Sequence, residues 1–270
     1  MNVFGKLDPA LNFSILIPSY NDNSGLIDTL ESLSDEIYSN ILIVDDGSDY
    51  PVYDLLKKHI TPHNIVILQL KKNSGIIIAL NSGIDFLYNN GIRYVYRLDS
   101  CDLHCNGRIK KQMDKMVSTG AAIVGGHVEY FDNNSSFILE LPTEYEQIKR
   151  MQYYRSCFIH PAVLLDLSKI ETVNTYKKKY LHAEDYDLFL RIVKKNTAVN
   201  IDEIVVKCLI RSNGLSLSNR KKQISSVLKS QMDNIAVLNI FSYLGILKTI
   251  VIMIVPMKIV NIIKKIFIFR

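Results

Sequence analysis

Short apolar runs alternate with segments of helical periodicity over the first hundred residues. Runs rich in isoleucine, leucine, valine and tyrosine occur at residues 13–17, 41–44, 65–70 and 94–98. Between these runs, apolar residues recur at helical spacing, which predicts helices over roughly 23–36, 51–59 and 75–90. Strands that alternate with helices indicate βαβ units. The sequence therefore predicts an α/β protein with a doubly wound, mostly parallel sheet.

The alternation becomes less regular after about residue 110. The pattern predicts a helix near 107–118, a strand at 121–125, a helix at 144–154 and a last strand at 203–210. Residues 132–136, between the predicted strand at 121–125 and the predicted helix at 144–154, are polar and typical of a surface loop. A further helix begins at Glu184 and Asp185, because the apolar residues after them are spaced for one buried face. Asp187 and Arg191 lie four residues apart on it and are predicted to form an ion pair.

The end of the chain is apolar and basic. Apolar residues dominate from 235 to 268, and no acidic residue follows Asp233. The uncharged run 235–247 is too short to span a bilayer alone, and extending it to 257 would include Lys248. We expect residues 235–270 to lie on an anionic membrane surface as one or two interfacial helices. A true span and a docked or oligomerising helix pair are the alternatives.

Composition narrows the possible partners and the compartment. The net charge of +5 is modest, and outside the tail there is no basic stripe with interleaved aromatic residues, so nucleic-acid binding is not expected. The N-terminus lacks the basic and apolar pattern of a signal peptide. We therefore expect a cytoplasmic protein, with its four cysteines reduced.

The strand at 94–98 is followed by two acids, Asp99 and Asp102. Acids just past a strand lie at the carboxyl edge of an open α/β sheet, where ligands bind. Carboxylates there suit a hard divalent cation or sugar hydroxyls, although a solvated turn or a helix cap would use the same residues. The chain has neither GxGxxG nor a P-loop, which argues against a dinucleotide or ATP site of those kinds.

Six motifs occur in order along residues 12–215. They are Ile17-Pro18-Ser19-Tyr20-Asn21, Val44-Asp45-Asp46-Gly47-Ser48, Asn73-Ser74-Gly75 with Ala79-Leu80-Asn81-Ser82-Gly83, Arg97-Leu98-Asp99-Ser100-Cys101-Asp102, His160-Pro161, and Glu184-Asp185-Tyr186-Asp187 with the helix that follows. In this order and at this spacing the chain resembles glycosyltransferase family 2, the inverting enzymes of GT-A fold that build bacterial polysaccharides such as O-antigens.

The resemblance implies a division of the chain. Residues 1–110 would form the nucleotide-sugar-binding half, and residues 111–215 the acceptor-binding and catalytic half of the same GT-A domain. Residues 216–270 would form a helical membrane-association segment.

The resemblance also implies roles on the donor side. Pro18 and Tyr20 would shape the base pocket, and Asp46 would accept a hydrogen bond from the base. Asp45 would support the turn. Arg97 would be a structural cation or lie near the diphosphate, although a surface arginine is an equal alternative. The residues assigned to the donor are Pro18, Tyr20, Asp46, Gly75, Asn81, Arg97, Asp99 and Arg211.

Catalysis is assigned by the same resemblance. Asp185 would be the general base that deprotonates the acceptor hydroxyl, with Glu184 as the second candidate. His160 would lie on the acceptor side. An acid that complements the helix dipole and a hydrogen-bonded core histidine are the alternative interpretations of Asp185 and His160.

The metal motif departs from the family pattern. The family usually carries Asp-x-Asp-Asp here, with the third position coordinating Mn²⁺ or Mg²⁺, whereas this chain has Cys101. Asp99 and Asp102 are the predicted ligands. Because a thiol is a poor ligand for a hard cation, the metal is held differently, held more weakly, or activity is lost.

Together these features predict a membrane-associated inverting glycosyltransferase, peripheral on the inner face of the bacterial cytoplasmic membrane. It would transfer one sugar from a nucleoside diphosphate sugar, with a UDP-sugar favoured, to a lipid-linked or growing polysaccharide acceptor. A non-catalytic scaffold that binds sugar nucleotides is the alternative. A sugar nucleotidyltransferase is disfavoured because Pro18-Ser19-Tyr20-Asn21 is not a Gly-rich phosphate loop.

Overall fold

The computed structural model describes residues 1–57, 59–132, 134–210 and 220–255 of the 270-residue chain. Its strands are β1 (Asn2–Phe4), β2 (Phe13–Ser19), β3 (Asn40–Asp45), β4 (Asn64–Gln69), β5 (Tyr94–Arg97), β6 (Leu103–His104), β7 (Ile123–Phe131), β8 (Ser136–Leu139), β9 (Leu164–Asp166) and β10 (Ala198–Leu209). Its helices are α1 (Asn23–Glu31), α2 (Val52–Leu56), α3 (Ile76–Asn89), α4 (Arg108–Thr119), α5 (Tyr145–Met151), α6 (Glu184–Lys195), α7 (Arg220–Asp233) and α8 (Ile240–Ile254).

The ten strands of the described residues form one sheet. Their order is β1-β4-β3-β2-β5-β9-β7-β10-β6, with β8 paired to β7. Strands β4, β3, β2 and β5 are parallel neighbours, and β7 and β10 are parallel to each other. Strand β9 is inserted antiparallel between β5 and β7. The carboxyl ends of β3, β2 and β5 therefore meet at one edge of the sheet, which is where open α/β sheets bind ligands.

Helices cover both faces of the sheet because the central strands are apolar on both sides. Alternate residues of β2 illustrate this, since Ile15 and Ile17 pack into one core cluster and Leu16 into the other. The first cluster contains side chains of α1, α2 and α4, and the second contains side chains of α3, α5 and α6. The predicted α/β class with a central, mostly parallel sheet is confirmed.

Several predicted boundaries differ from the structure. Helix α1 ends at Glu31 rather than near residue 36, because the chain then forms turns that bring the Glu36 carboxylate to the backbone N–H of Gly107 at 2.8 Å. Strands β7 and β10 are longer than predicted because they pair with each other along most of their lengths. Of the polar stretch predicted as a surface loop, Asp132, Asn134 and Ser135 lie between β7 and β8, and Ser136 begins β8.

Helix α7 is joined to α6 by polar contacts. The fully buried carboxylate of Asp187 on α6 accepts hydrogen bonds from Ser230 Oγ on α7 and from Asn234 Nδ2 directly after it, both at 3.2 Å. The same carboxylate pairs with Arg191 Nε at 2.8 Å, which confirms the predicted ion pair. Gln231 Nε2 donates to the Tyr153 carbonyl at 3.2 Å. Helix α7 is therefore fixed to the helix on which Glu184 and Asp185 begin.

Helix α8 packs with its small residues inward and its apolar residues outward. Ser242, Gly245 and Thr249 are its buried positions, and a Cβ on Gly245 would lie 2.1 Å from the Tyr153 carbonyl oxygen. The exposed positions are Ile240, Tyr243, Leu244, Leu247, Ile250, Val251, Met253 and Ile254. No helix within the described residues is both long enough and apolar enough to cross a membrane. Residues 256–270, part of the predicted membrane segment, lie outside the described residues.

Candidate active site

The predicted donor-side residues lie at the carboxyl edge formed by β3, β2 and β5. Pro18 is buried near the end of β2, and Tyr20 follows it with 44% of its surface exposed. Asn21 then adopts a left-handed φ of 49°, and its side chain bonds Asp49 at 2.9 Å. This contact links the loop after β2 to the loop after β3. The exposed Tyr20 ring is therefore held at the edge where a planar base can pack on it.

Two adjacent aspartates at the end of β3 have different partners. Asp45 accepts from the backbone N–H groups of Ser48 and Val52, at 2.9 and 3.1 Å, and so supports the turn as predicted. Asp46 accepts from the N–H groups of Ser74 and Gly75, both at 2.8 Å. Its carboxylate therefore joins the end of β3 to the loop that follows β4. This is the position predicted for the base.

The loop after β5 carries Asp99 and Asp102 and is anchored to α1. The N–H of Cys101 donates to the Gly25 carbonyl at 3.0 Å, and the Thr29 hydroxyl donates to the Asp102 carbonyl at 3.0 Å. Asp102 is buried and lies against the end of β10, where it accepts from the Cys208 thiol at 3.3 Å and the Leu209 N–H at 3.3 Å. Burial, together with the charge of Asp99, raises the pKa of Asp102 to about 7.

Arg97 ends β5 in the centre of the site. It is 2% exposed, and its guanidinium forms an ion pair with Asp99 through Nη2. Its Nε and Nη1 atoms are buried, and among the described residues neither has a hydrogen-bond partner. The interpretation of Arg97 as a surface arginine is therefore wrong. A buried guanidinium with two unpaired donors can receive an anionic ligand.

Glu184 and Asp185 lie in the first turn of α6, and the charge of Arg97 acts on both. Burial raises the pKa of Asp185, the charge of Asp99 adds to this rise, and the charge of Arg97 opposes it. Asp185 Oδ1 accepts a hydrogen bond from the backbone N–H of Tyr186 at 2.7 Å. Glu184 Oε2 is buried without a partner among the described residues. Two carboxyl groups with raised pKa values beside one arginine are suited to accept a proton near neutral pH.

Glu184→Gln is expected to stabilise the protein above pH 7. Burial and the charge of Asp185 raise the pKa of Glu184 from about 4.5 to about 7. Between these values only the unfolded chain releases the proton, so the folded state becomes progressively less favoured, and above pH 7 the penalty is complete. Glutamine cannot ionise and avoids this penalty. Thermal denaturation should show a gain of about 2–5 °C at pH 8 and a smaller gain at pH 5; equal changes at both pH values would contradict the assignment.

His160 is positioned by a tyrosine that sequence analysis did not identify. Tyr176 is almost fully buried, and its hydroxyl lies 2.8 Å from His160 Nε2. Burial lowers the pKa of His160 well below its usual range, and the charge of Arg97 adds to this effect. The imidazole is therefore neutral at physiological pH. No pattern in the lysine-rich segment around Tyr176 indicates this role.

Asn81, another predicted donor residue, has both ends of its side chain bonded to one backbone segment. Its amide donates to the Tyr176 carbonyl at 2.8 Å and accepts from the Tyr176 N–H at 2.9 Å. Both ends of the side chain therefore hold the segment that carries Tyr176. Through Tyr176, Asn81 fixes His160. Arg211, the remaining donor-side prediction, lies outside the described residues.

The described residues do not suit a hard divalent cation. No group of three His, Cys, Asp or Glu side chains among them is placed to hold a metal ion. Of the two predicted ligands, Asp99 is paired with Arg97 and Asp102 accepts from a thiol and a backbone N–H. At the third position of the motif, Cys101 offers sulfur where Mn²⁺ or Mg²⁺ prefers oxygen.

Comparison with known proteins identifies the class. The model of the family described as Glycosyl transferase family 2 matches residues 14–166, more than half of the chain. The chain is 24% identical over 201 residues to the O-antigen biosynthesis glycosyltransferase WbnJ of Escherichia coli, covering 73% of this chain and 77% of that protein. It is 27% identical over 229 residues to the Escherichia coli UDP-Glc:alpha-D-GlcNAc-diphosphoundecaprenol beta-1,3-glucosyltransferase WfgD, covering 82% and 83% of the two chains.

A solved structure supports the same fold. The S. aureus TarS 1–349 fragment in complex with UDP-GlcNAc matches with a TM-score of 0.64 at 15% identity, covering 83% of this chain and 67% of that one. The sheet order, the site at its carboxyl edge and these matches define a glycosyltransferase of GT-A fold. The chain belongs to glycosyl transferase family 2.

Proposed function

We propose that this glycosyltransferase moves a sugar from a UDP-sugar to a lipid-linked or growing surface-polysaccharide acceptor, with inversion at the anomeric carbon. The observation that carries the proposal is the grouping of three acids around Arg97: Asp99 pairs with its guanidinium, and the charge of Arg97 acts on both Glu184 and Asp185. Two relatives support the substrate classes, since WfgD is named for UDP-Glc and a diphosphoundecaprenol-linked GlcNAc, and TarS was solved with UDP-GlcNAc.

The donor nucleotide would lie along the carboxyl edge of the sheet. Its base packs on Tyr20 over the buried Pro18, and Asp46 accepts a hydrogen bond from the base. Asp46 is held in place by the N–H groups of Ser74 and Gly75, so it is oriented before the donor arrives. Asp99 receives a ribose hydroxyl at the end of β5. The diphosphate then lies near Arg97.

The transfer itself requires a base on the face opposite the diphosphate. The acceptor hydroxyl oxygen attacks the anomeric carbon as its proton passes to the Asp185 carboxylate. The bond between that carbon and the diphosphate oxygen breaks, and its electron pair leaves with the nucleoside diphosphate. Attack from the opposite face inverts the configuration, so an α-linked donor gives a β-linked product. His160, neutral and held by Tyr176, hydrogen-bonds the acceptor sugar.

The exposed face of α8 would attach the protein to the membrane surface that carries a lipid-linked acceptor. A helix on a protein surface ordinarily buries its apolar side, whereas α8 buries Ser242, Gly245 and Thr249 and exposes its large apolar residues. Its one charged residue, Lys248, lies 4.2 Å from the centre of the Tyr154 ring. Large exposed apolar patches mark sites that interact with proteins or membranes. An acid-free tail after Asp233 is compatible with anionic lipid on the cytoplasmic face.

A transfer assay tests the proposal. The purified chain is incubated with UDP-glucose, UDP-galactose or UDP-GlcNAc and a short-chain lipid diphosphate that carries a single GlcNAc. We expect one donor to give a disaccharide whose new linkage is β by the one-bond carbon–proton coupling of its anomeric centre. An α-linkage would exclude the inverting mechanism. Binding of the nucleotide without any transfer to this acceptor or to isolated polysaccharide would favour the scaffold.

A further inference from the structure

The guanidinium of Arg97 is a buried cation whose donors are only partly used. One nitrogen, Nη2, pairs with Asp99, while Nε and Nη1 are buried and have no partner in the described part of the chain. Leaving buried donors unpaired is costly, so positions that retain them commonly serve a ligand. The unpaired Nε and Nη1 atoms indicate that this ligand carries acceptor oxygens.

Neither Glu184 nor Asp185 forms an ion pair with the unpaired donors of Arg97. Among the described residues, Asp99 is the one carboxylate within 4 Å of the guanidinium. Glu184 Oε2 is also buried and unpartnered, although the charges of Arg97 and Glu184 act on each other. The two groups are thus near enough to interact but are not bonded. A ligand that binds Arg97 with acceptor atoms and offers hydroxyls to the carboxylates would satisfy both groups.

The residues that would hold a divalent cation are committed elsewhere. Asp99 is paired with Arg97, and Asp102 accepts hydrogen bonds from Cys208 and Leu209. Cys101 supplies a soft sulfur at the third position of the motif. In this set only the carboxylates of Asp99 and Asp102 offer the hard oxygen that Mn²⁺ and Mg²⁺ prefer, and both already have partners. Arg97 supplies a buried positive charge directly beside Asp99.

We propose that Arg97 binds and neutralises the donor diphosphate in place of a divalent cation, so that donor binding and transfer do not require Mn²⁺ or Mg²⁺. This inference rests on the proposed glycosyl transfer. As the anomeric carbon–oxygen bond breaks, its electron pair passes to the β-phosphate oxygen. The Arg97 guanidinium stabilises the added charge through charge-assisted hydrogen bonds. The acceptor proton goes to Asp185, so no further reactant is needed.

Calorimetric titration of the full chain with uridine, UMP and UDP, in EDTA and then in Mn²⁺, tests the inference. We expect the dissociation constant of UDP to change by less than about threefold between the two conditions. In Arg97→Gln, UDP should bind about 10–100-fold more weakly, while uridine affinity is unchanged. The uridine titration shows that the base pocket is still folded. Arg97→Lys, which keeps the charge, should restore part of the loss.

A second variant tests the motif without altering the buried arginine. Cys101 has a left-handed φ of 77°, a conformation that aspartate tolerates better than most residues. Cys101→Asp should therefore fold and should bind UDP at least about tenfold more tightly with Mn²⁺ than in EDTA. A variant as indifferent to Mn²⁺ as the wild type would overturn the role assigned to Cys101.

The outcomes separate the inference from the function on which it rests. Wild-type UDP binding that is lost in EDTA and restored by Mn²⁺ would overturn the inference while supporting glycosyl transfer. Unchanged UDP affinity in Arg97→Gln would also overturn it. Failure of uridine and UDP alike to bind under either condition would instead remove the proposed function.

Discussion

Asp185→Asn is expected to lower the turnover number of glycosyl transfer by about 10²–10⁴-fold while leaving UDP affinity unchanged. Asparagine has nearly the same shape as aspartate but cannot take the proton from the acceptor hydroxyl. The Asp185 side chain already accepts a hydrogen bond from the Tyr186 N–H, and the asparagine carbonyl can keep that bond. The loss should therefore appear in turnover rather than in folding or donor binding.

The pH dependence of the wild-type enzyme provides an independent test. Burial raises the pKa of Asp185, and a base must be deprotonated to act. Turnover should therefore fall as the pH is lowered through this raised pKa, which lies above that of an ordinary aspartate. In Asp185→Asn, the turnover that remains should no longer show this fall at low pH.

Glu184→Gln is the matched control, because it changes the adjacent carboxyl group on the same helical turn. We expect it to retain most of the turnover. The pH at which its turnover falls should be shifted, because the charges of Asp185 and Glu184 act on each other. If Glu184→Gln loses turnover and Asp185→Asn keeps it, the base is Glu184. If both variants keep it, neither carboxylate is the base.

The parallel half of the fold is predictable from sequence because its signal is local. Strands β2, β3 and β5 are short apolar runs that end in polar residues, and parallel strands place those ends at one edge. The strand ends predict Asp46 and Asp99 at one edge, and the resemblance to the family adds Tyr20 and the donor roles of all three residues.

The remaining features depend on contacts between distant segments. Asn81 and Tyr176 are 95 residues apart, and Asp102 and Cys208 are 106 residues apart. Neither pair shows a periodic or charge pattern in the sequence. The orientation of α8 was also hidden, because a helix that is apolar nearly all round does not reveal which side is packed. The small residues Ser242, Gly245 and Thr249 are the signal that could have shown the buried side.

Truncation before α7 is expected to abolish turnover by loosening the catalytic helix. Removing residues 220–270 takes away Ser230 and Asn234, which donate to the buried Asp187 carboxylate, and Gln231, which bonds the Tyr153 carbonyl. Each hydrogen bond to a buried charge contributes about 1.5–3 kcal/mol. We expect a lower melting temperature and loss of transfer to a water-soluble acceptor. A truncated chain that keeps both would show that α7 does not support α6.

Truncation after Asn234 is the matched comparison, since it removes α8 and the rest of the tail but keeps every α7 contact to Asp187. This variant should retain transfer to the water-soluble acceptor, because the partners of α6 remain in place. It should lose sedimentation with vesicles that contain anionic lipid, because the exposed apolar face of α8 is gone. Continued sedimentation would place the membrane contact elsewhere. If transfer to the water-soluble acceptor is lost as well, α8 also maintains the site through its packing on Tyr153.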